Sequence, residues 1–289
     1  MAVLDVLFLI ACWTWIISAA LFLRNTVLPR VPILQTPGAC GLPAQPVRFD
    51  AADGMRLEGW KIPGHPDRPW IIGCHGLGAS RADLLEIAAG LHQAGFNVFL
   101  FDFRAHGASA GRVTSFGWRE QRDLEGALAF LGQQPDAPPR PYGLYGLSMG
   151  AAVGLMVAAR DERIGAVAAD SPYTDLKASL GHHLTLMYPL PRVPFVWFVL
   201  ATNRLRFGVW PSRMSPLEAV ATLSPRPLLL IQGEQDPRMP LEAAKKLFEK
   251  AREPKTLWVI RGTGHLQGFA ANPQAYLDHL TSFFNSSLI

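Results

Sequence analysis

Hydrophobic and polar positions divide the chain into an apolar N-terminal run, a proline-rich stretch and a long alternating region. The first run, Val6–Leu23, has eighteen consecutive residues without a charge, between Asp5 and Arg24. That length is just enough to cross the hydrocarbon core of a bilayer. We therefore expect residues 1–24 to form an uncleaved transmembrane anchor.

A secretory signal peptide is the alternative for this run, since Ser18-Ala19-Ala20 resembles a small-residue cleavage site. Against it, no Lys or Arg precedes the run, and apolar residues continue beyond the possible cut. The nearest basic residues, Arg24 and Arg30, follow the run. The positive-inside rule then predicts a single-pass membrane protein whose remaining chain lies in the cytoplasm.

Residues 25–46 contain five prolines among small residues, at positions 29, 32, 37, 43 and 46. Proline cannot continue a helix and favours extended backbone, so this stretch is expected to be a linker. The folded domain is then expected over residues 47–289.

The region 47–289 alternates short apolar runs with stretches of helical spacing. It begins with two strand-like runs around Asp53-Gly54, a strong hairpin signal. Such alternation predicts an α/β fold, a doubly wound and mostly parallel sheet of about eight strands with helices on both faces. Strands are expected at 47–50, 56–62, 69–74, 97–102, 142–147, 164–169, 227–232 and 255–260, and helices at 82–94, 116–133, 149–160, 240–252 and 272–284.

Residues 175–214 interrupt this rhythm with a long apolar insertion. It follows the sixth expected strand, at the edge of the sheet where α/β proteins bind ligands. We expect a helical, lid-like element here, although ordinary core packing also accounts for its apolar residues. A second membrane span is not expected, because Pro191, Arg192 and Pro194 interrupt the apolar stretch.

The composition narrows the function classes. The net charge is only +4, from 27 basic and 23 acidic residues, and no basic run alternates with aromatic residues. Nucleic acid is therefore not an expected partner. The three cysteines, Cys12, Cys40 and Cys74, form no Cys-x-x-Cys pair, and they are expected to be free thiols rather than a disulfide framework or a metal site.

One motif carries candidate chemistry, Gly146-Leu147-Ser148-Met149-Gly150. Two glycines so placed let a strand turn sharply into a helix and expose the central serine as a nucleophile. The motif also arises by chance in a chain of this length, so its meaning depends on partner residues.

Both partners of a nucleophilic serine follow in the chain. A hydroxyl needs a histidine base and a carboxylate that orients the base. Asp236 follows the expected strand 227–232, and His265 follows the strand 255–260. Ser148, Asp236 and His265 thus occur in the order nucleophile, acid, base, each after a strand. Glu234 and Asp175 remain alternatives for the acid.

Acyl transfer also needs two backbone N–H donors for the developing oxyanion. Met149 follows the serine at the start of a helix and is one candidate. The other is Leu77, in the loop Cys74-His75-Gly76-Leu77-Gly78 after the third strand.

These segments resemble the α/β-hydrolase superfamily over residues 47–289, and more specifically its single-pass, membrane-anchored members and their bacterial counterparts. The similar segments are His75–Gly78, Asp102–Ser109, Gly146–Gly150, Ser171–Tyr173, Ser215–Glu218, Gly233–Asp236 and Gly264–His265. The resemblance implies a Ser-His-Asp hydrolase that needs neither a metal nor an organic cofactor. Ala105 departs from the pattern, since many relatives have glycine there.

The remaining histidines and charged residues of these loops are expected to have structural roles. His75 and His106 each precede a glycine in a loop, and Asp102 and Arg104 are expected to brace that loop. The adjacent His182 and His183 point in different directions and lack a third ligand nearby, so a metal site is not expected.

The sequence thus predicts a serine hydrolase that cleaves a carboxylic ester or thioester, with a small-molecule or lipid-like acyl substrate suggested by the anchor and the apolar insertion. An acyl-peptide hydrolase and an acyltransferase would use the same residues. A non-catalytic membrane-bound binding protein of this fold is the third alternative.

Overall fold

The structure is a computed structural model that describes residues 2–137, 141–188 and 190–289. The strands are β1 (Gln45–Asp50), β2 (Arg56–Ile62), β3 (Trp70–Cys74), β4 (Asn97–Phe101), β5 (Tyr142–Leu147), β6 (Ile164–Asp170), β7 (Leu228–Gly233) and β8 (Lys255–Ile260). The helices are α1 (Ala2–Thr26), α2 (Leu85–Gln93), α3 (Glu120–Gly132), α4 (Met149–Ala158), α5 (Leu176–Met187), α6 (Arg192–Phe207), α7 (Pro216–Ala219), α8 (Leu241–Lys250), α9 (Gly268–Ala271) and α10 (Pro273–Leu288).

All eight strands form one sheet in the order β1-β2-β4-β3-β5-β6-β7-β8. Strand β2 runs antiparallel to both of its neighbours, and the remaining pairs are parallel. This confirms the predicted doubly wound, mostly parallel α/β sheet and the hairpin at Asp53-Gly54. Strand β5 lies inside the sheet, so the turn after it opens at the carboxyl edge where ligands bind in such folds.

Helices cover both faces of the sheet. Helices α3, α4 and α8 pack on one face, where Leu124, Val153 and Leu247 are fully buried. Helices α2 and α10 pack on the other face around Leu85 and Tyr276. Apolar residues fill the parallel strands on both sides, as expected for strands that bury two faces.

Helix α1 is long and apolar enough over Val3–Thr26 to cross a membrane. It continues two residues beyond the predicted anchor boundary at residue 24. Its first half is exposed, whereas the second half has a buried stripe at Thr14, Ser18, Phe22 and Thr26. Their spacing of four residues places them on one face of the helix, so the end of α1 packs on the domain along this face.

The proline-rich stretch 25–46 also contacts the domain. The Arg30 guanidinium donates hydrogen bonds of 2.7 Å to the carbonyl oxygens of Gly107, Ser109 and Gly111. The backbone N–H of Thr114 donates to the Thr26 carbonyl at 2.9 Å. These contacts fix the path of the chain between α1 and β1.

Candidate active site

Ser148 occupies the turn between β5 and α4 with φ 50° and ψ −110°. A positive φ is rare for a residue with a side chain and is a strained conformation. The Ser148 N–H donates to the Asp170 carbonyl at 2.8 Å, and the Ser148 carbonyl accepts from the Ala152 N–H at 3.0 Å. The turn is therefore fixed on both sides, and the strained serine is held at the carboxyl edge of the sheet.

The two glycines of the motif are required by close packing. A Cβ at Gly146 would lie 2.6 Å from the Cα of Ala151, within the turn itself. A Cβ at Gly150 would overlap the carbonyl oxygens of Cys74 and His75 at the end of β3. Only glycine allows α4 to start so close to the neighbouring strands.

Three side chains from separate loops form a hydrogen-bonded line. The Ser148 Oγ lies 3.1 Å from Nε2 of His265, and the His265 Nδ1 lies 2.6 Å from Oδ2 of Asp236. Asp236 follows β7 and His265 follows β8, so the sheet order brings together residues 117 and 29 positions apart in sequence. This is the arrangement of nucleophile, base and orienting acid in acyl-transfer sites.

The carboxylate of Asp236 is fully buried but has several donors. Burial alone would raise its pKa, but hydrogen bonds from His265 and from the backbone N–H groups of Met239 and Arg238 hold the pKa below its usual value. The amide of Gln232 also donates to Oδ2 at 3.2 Å. Asp236 is therefore charged at neutral pH and suited to accept a hydrogen bond from a protonated Nδ1 of His265.

The two candidate oxyanion donors flank the serine. Met149 is the first residue of α4, where a backbone N–H has no acceptor within the helix. Leu77 follows Gly76, and a Cβ at Gly76 would lie 3.6 Å from the Cβ of Ser148. Both backbone segments thus lie next to Ser148, one in sequence and the other in space.

The two alternative acids, Glu234 and Asp175, bond to backbone N–H groups instead of to His265. Glu234 accepts a hydrogen bond from the Gly262 N–H at 3.0 Å, and it joins the loops after β7 and β8. Asp175 caps the start of α5 by accepting from the Ala178 N–H at 2.7 Å. His265 bonds to Asp236 rather than to either of these carboxylates.

The loop histidines are buried and bonded to backbone. Nδ1 of His75 lies 2.7 Å from the Gly76 carbonyl, and its Nε2 accepts from the Phe103 N–H at 3.0 Å. Burial lowers the pKa of His75 to about 3, so the ring is neutral. His75 thereby links the loop of Gly76 to the segment after β4.

The neighbouring charged residues also brace loops. Asp102 is fully buried and accepts from the Arg81 guanidinium at 2.7 Å and from the Ala108 N–H at 2.8 Å. Arg104 pairs with Asp53 and with buried Asp123. Ala105, where the resemblance led us to expect glycine, adopts φ 63°, a conformation that glycine tolerates better than alanine.

His182 and His183 do not share a ligand. Nε2 of His182 lies 2.7 Å from the Pro237 carbonyl, and Nδ1 of His183 lies 2.9 Å from the Ser179 carbonyl. Within the described residues, no group of three His, Cys, Asp or Glu side chains is placed to hold a metal ion. His182 therefore joins α5 to the loop that carries Asp236.

A buried chain of polar side chains behind the serine is not evident from the sequence. The Tyr276 hydroxyl donates to Oδ2 of Asp170 at 2.6 Å, and the hydroxyls of Tyr145 and Tyr276 are 2.9 Å apart. Ser171 donates to the other carboxylate oxygen at 2.7 Å. The signal in sequence was an aspartate at the end of a buried strand, but its tyrosine partner lies more than one hundred residues away.

Residues 71–279 match the Alpha/beta hydrolase family. The chain belongs to this family. Protein Rv2307c of Mycobacterium tuberculosis is 31% identical over 251 residues, which cover 86% of this chain and 82% of that protein. The polyketide transferase GrgF of a Penicillium species is 26% identical over 285 residues, which cover 85% of this chain and 97% of the transferase.

Solved structures agree with this assignment. The esterase Pf2001 of Pyrococcus furiosus superposes with a TM-score of 0.76 at 25% identity, and the match covers 91% of this chain and 98% of the esterase. The hydrolase fold and family are thus established by sequence and by structure together.

Proposed function

We propose that the protein is a serine hydrolase that cleaves carboxylic ester or thioester bonds of a lipophilic acyl substrate at a membrane surface. The observation that carries the proposal is the hydrogen-bonded line of Ser148, His265 and Asp236, with distances of 3.1 and 2.6 Å. The similarity to an esterase over nearly its whole length supports this reaction class.

The reaction follows from the positions of these groups. Ser148 Oγ attacks the acyl carbonyl while Nε2 of His265 takes its proton, and Asp236 orients the imidazole and stabilises its cation. The backbone N–H groups of Leu77 and Met149 stabilise the oxyanion. Collapse of the tetrahedral intermediate releases the alcohol or thiol, which takes the proton from His265.

The second half of the cycle regenerates the enzyme. Water attacks the acyl-serine as His265 accepts one of its protons. The resulting intermediate releases the carboxylic acid, and the proton returns to Ser148. Every step uses side chains and backbone groups of this chain.

A lipophilic substrate is supported by the contacts of the end of α1 and of the residues that follow it. Cδ1 of Leu28 lies 3.9 Å from the position that a Cβ at Gly78 would occupy, beside the loop of Leu77. The Asn25 amide donates to the Tyr188 hydroxyl at 3.0 Å, at the end of α5. We propose that α1 is a membrane anchor, with the domain on the cytoplasmic side. The candidate site then lies close to the bilayer, because the residues that contact it follow the uncharged run within a few positions.

Hydrolysis of ester series tests this function. The full chain in lipid nanodiscs should hydrolyse p-nitrophenyl esters, with kcat/KM rising from acetate towards medium and long acyl chains. Ser148→Ala should abolish the activity at every length. A maximum at acetate would overturn the lipophilic substrate class, and equal rates in the variant and the unsubstituted protein would overturn the serine mechanism.

Acyl transfer to an acceptor other than water is the second candidate, because the chain is similar to a polyketide transferase over 97% of that protein. The same acyl-serine would form, so product analysis separates the two reactions. Ester or amide products with added alcohols or amines, formed faster than free acid, would favour the transferase.

A further inference from the structure

The lid segment, residues 175–214, has an unusually apolar surface. Among the described residues of 47–289, eight large apolar side chains are exposed, and six of them belong to the lid. These six are Leu186, Met187, Val193, Trp197, Leu205 and Trp210. Isolated exposed apolar residues are normal on a soluble protein, whereas their concentration in one element indicates a contact surface.

The lid also accounts for the net positive charge of the protein. It contains five basic residues and one acidic residue, so its net charge equals the +4 of the whole chain. The basic residues are Lys177, Arg192, Arg204, Arg206 and Arg213, and in the described part of the chain none of them forms a salt bridge. Exposed apolar side chains beside basic groups that lack an acidic partner fit an anionic lipid surface.

Contacts with α1 position the lid near lipid. The Trp15 ring stacks on Phe198 of α6 with centroids 6.3 Å apart, and its Nε1 donates to Oγ1 of Thr202 at 3.3 Å. Phe22 packs against Phe207 at 6.1 Å. Trp15 lies near the middle of the uncharged run Val6–Leu23. Packed helices are about 8–10 Å apart, so α6 stays beside the part of α1 that is most apolar.

The polar groups at this helix contact are internally satisfied. Thr14 donates to the Ile10 carbonyl and Ser18 to the Thr14 carbonyl, each at 2.7 Å. Thr202 likewise donates to the Phe198 carbonyl at 2.8 Å. Small hydroxyl residues with satisfied hydrogen bonds are typical of helix contacts in lipid. The α1–α6 contact therefore suits an apolar surrounding.

We propose that the lid is a membrane-docking surface, with the exposed apolar side chains of α6 seated in the bilayer beside α1. The basic residues at and after the end of α6, which are Arg204, Arg206 and Arg213, then lie against anionic headgroups. This inference rests on the proposed membrane anchoring by α1. It makes the lid a part of the membrane contact rather than a cover facing water. Trp210 follows Phe207, which packs on Phe22 at the end of the uncharged run, so Trp210 occupies the headgroup level that tryptophan prefers.

Spin labels in the full chain test the proposal. Cys12 and Cys40 are replaced by alanine, buried Cys74 is retained, and a nitroxide is attached after Leu205→Cys. The matched control is Glu249→Cys, an exposed position on α8. In nanodiscs that hold one copy and contain phosphatidylglycerol, the label at 205 should be accessible to oxygen and shielded from a water-soluble nickel chelate. The label at 249 should show the reverse.

A double variant tests the contribution of the basic residues to docking. Arg206→Gln with Arg213→Gln removes two exposed charges and should lower the ratio of docked to undocked lid roughly 30-fold, by about fivefold per charge. Neutral phosphatidylcholine discs should reduce docking of the unsubstituted lid in the same direction. Equal shielding at 205 in anionic and neutral lipid would overturn the role of the basic residues.

A third label, after Ile10→Cys on α1, separates the possible failures. If the label at 205 is exposed to the chelate while the label at 10 is in lipid, lid docking is overturned and the anchor remains. Exposure of both labels overturns the anchor and the docking together. Shielding at 205 only in discs with two copies shows that a second chain covers the lid, which also overturns the proposal. Serine reactivity is measured separately and is independent of these outcomes.

Discussion

The Tyr276 hydroxyl donates a 2.6 Å hydrogen bond to the buried carboxylate of Asp170, directly behind the turn of Ser148. The Asp170 carbonyl accepts from the Ser148 N–H, so the residue supports the turn through both side chain and backbone. Burial raises the pKa of Asp170 to about 6, although the hydrogen bonds from Tyr276 and Ser171 oppose the rise. Asp170 is therefore a titrating group beneath the candidate active site.

Asp170→Asn should change how stability depends on pH. An unfolded aspartate titrates near pH 4, so between about pH 4 and 6 the native state holds a proton that the unfolded state has lost. The free energy of unfolding should thus fall as pH rises through this window, by roughly 3 kcal/mol from this group. The variant lacks this contribution. Melting curves from pH 4 to 7 should show the unsubstituted protein losing stability relative to the variant, and parallel pH dependences would contradict the assignment.

Asp236→Asn should lower kcat by roughly 10⁴-fold, because an amide cannot hold the imidazole in the required tautomer or stabilise its cation. Ester hydrolysis by the purified variant measures the effect, and circular dichroism checks that the fold is retained. Glu234→Gln and Asp175→Asn are the matched controls, and each should keep activity within a few-fold. Loss of activity in either control with a normal Asp236 variant would move the acid to another residue.

Gly150→Ala should destabilise the protein and reduce serine reactivity. The added Cβ would overlap the carbonyl oxygens of Cys74 and His75, which are backbone atoms and cannot rotate away. Such overpacking typically costs about 1–3 kcal/mol. Gly38→Ala is the control, since a Cβ there meets nothing within 4 Å and its φ is not positive. Similar melting temperatures for both variants would show that the tight approach of α4 to β3 is not required.

Arg30→Gln should loosen the loop that follows β4. It removes four charge-assisted hydrogen bonds to backbone carbonyls, three of them at 2.7 Å, a loss of about 1–2 kcal/mol at a partly exposed site. Hydrogen exchange should rise in residues 104–111 and remain unchanged in α10. Arg24→Gln removes the same charge on α1 and serves as control. Unchanged exchange in the loop would mean that water replaces the guanidinium without cost.

Much of the fold follows from local patterns. Runs such as Tyr142–Leu147 and Lys255–Ile260 each follow a proline, and their predicted limits agree with β5 and β8. The helix predicted at 116–133 begins only at Glu120, because residues 114–117 form a turn whose N–H and hydroxyl groups bond to the Glu120 carboxylate. That turn depends on a side chain downstream, and periodicity alone does not reveal it.

The three residues of the candidate site could also be predicted from the sequence. Ser148, Asp236 and His265 each follow a strand, and parallel strands end at one edge of the sheet, so topology alone predicts their proximity. The Tyr276–Asp170 bond and the Trp15–Thr202 bond join elements far apart in sequence, and neither residue pair carries a local motif. Long-range polar contacts of this kind are fixed by packing, which sequence patterns do not specify.

Labelling with a fluorophosphonate probe shows whether Ser148 is an activated nucleophile. The full chain in membranes is compared with Ser148→Ala, and the labelled peptide is identified by mass spectrometry. We expect stoichiometric labelling at Ser148, which is lost in the variant and strongly slowed by His265→Ala. Absence of labelling in the folded, unsubstituted protein, or labelling at another serine, would contradict the assignment of Ser148 as an activated nucleophile.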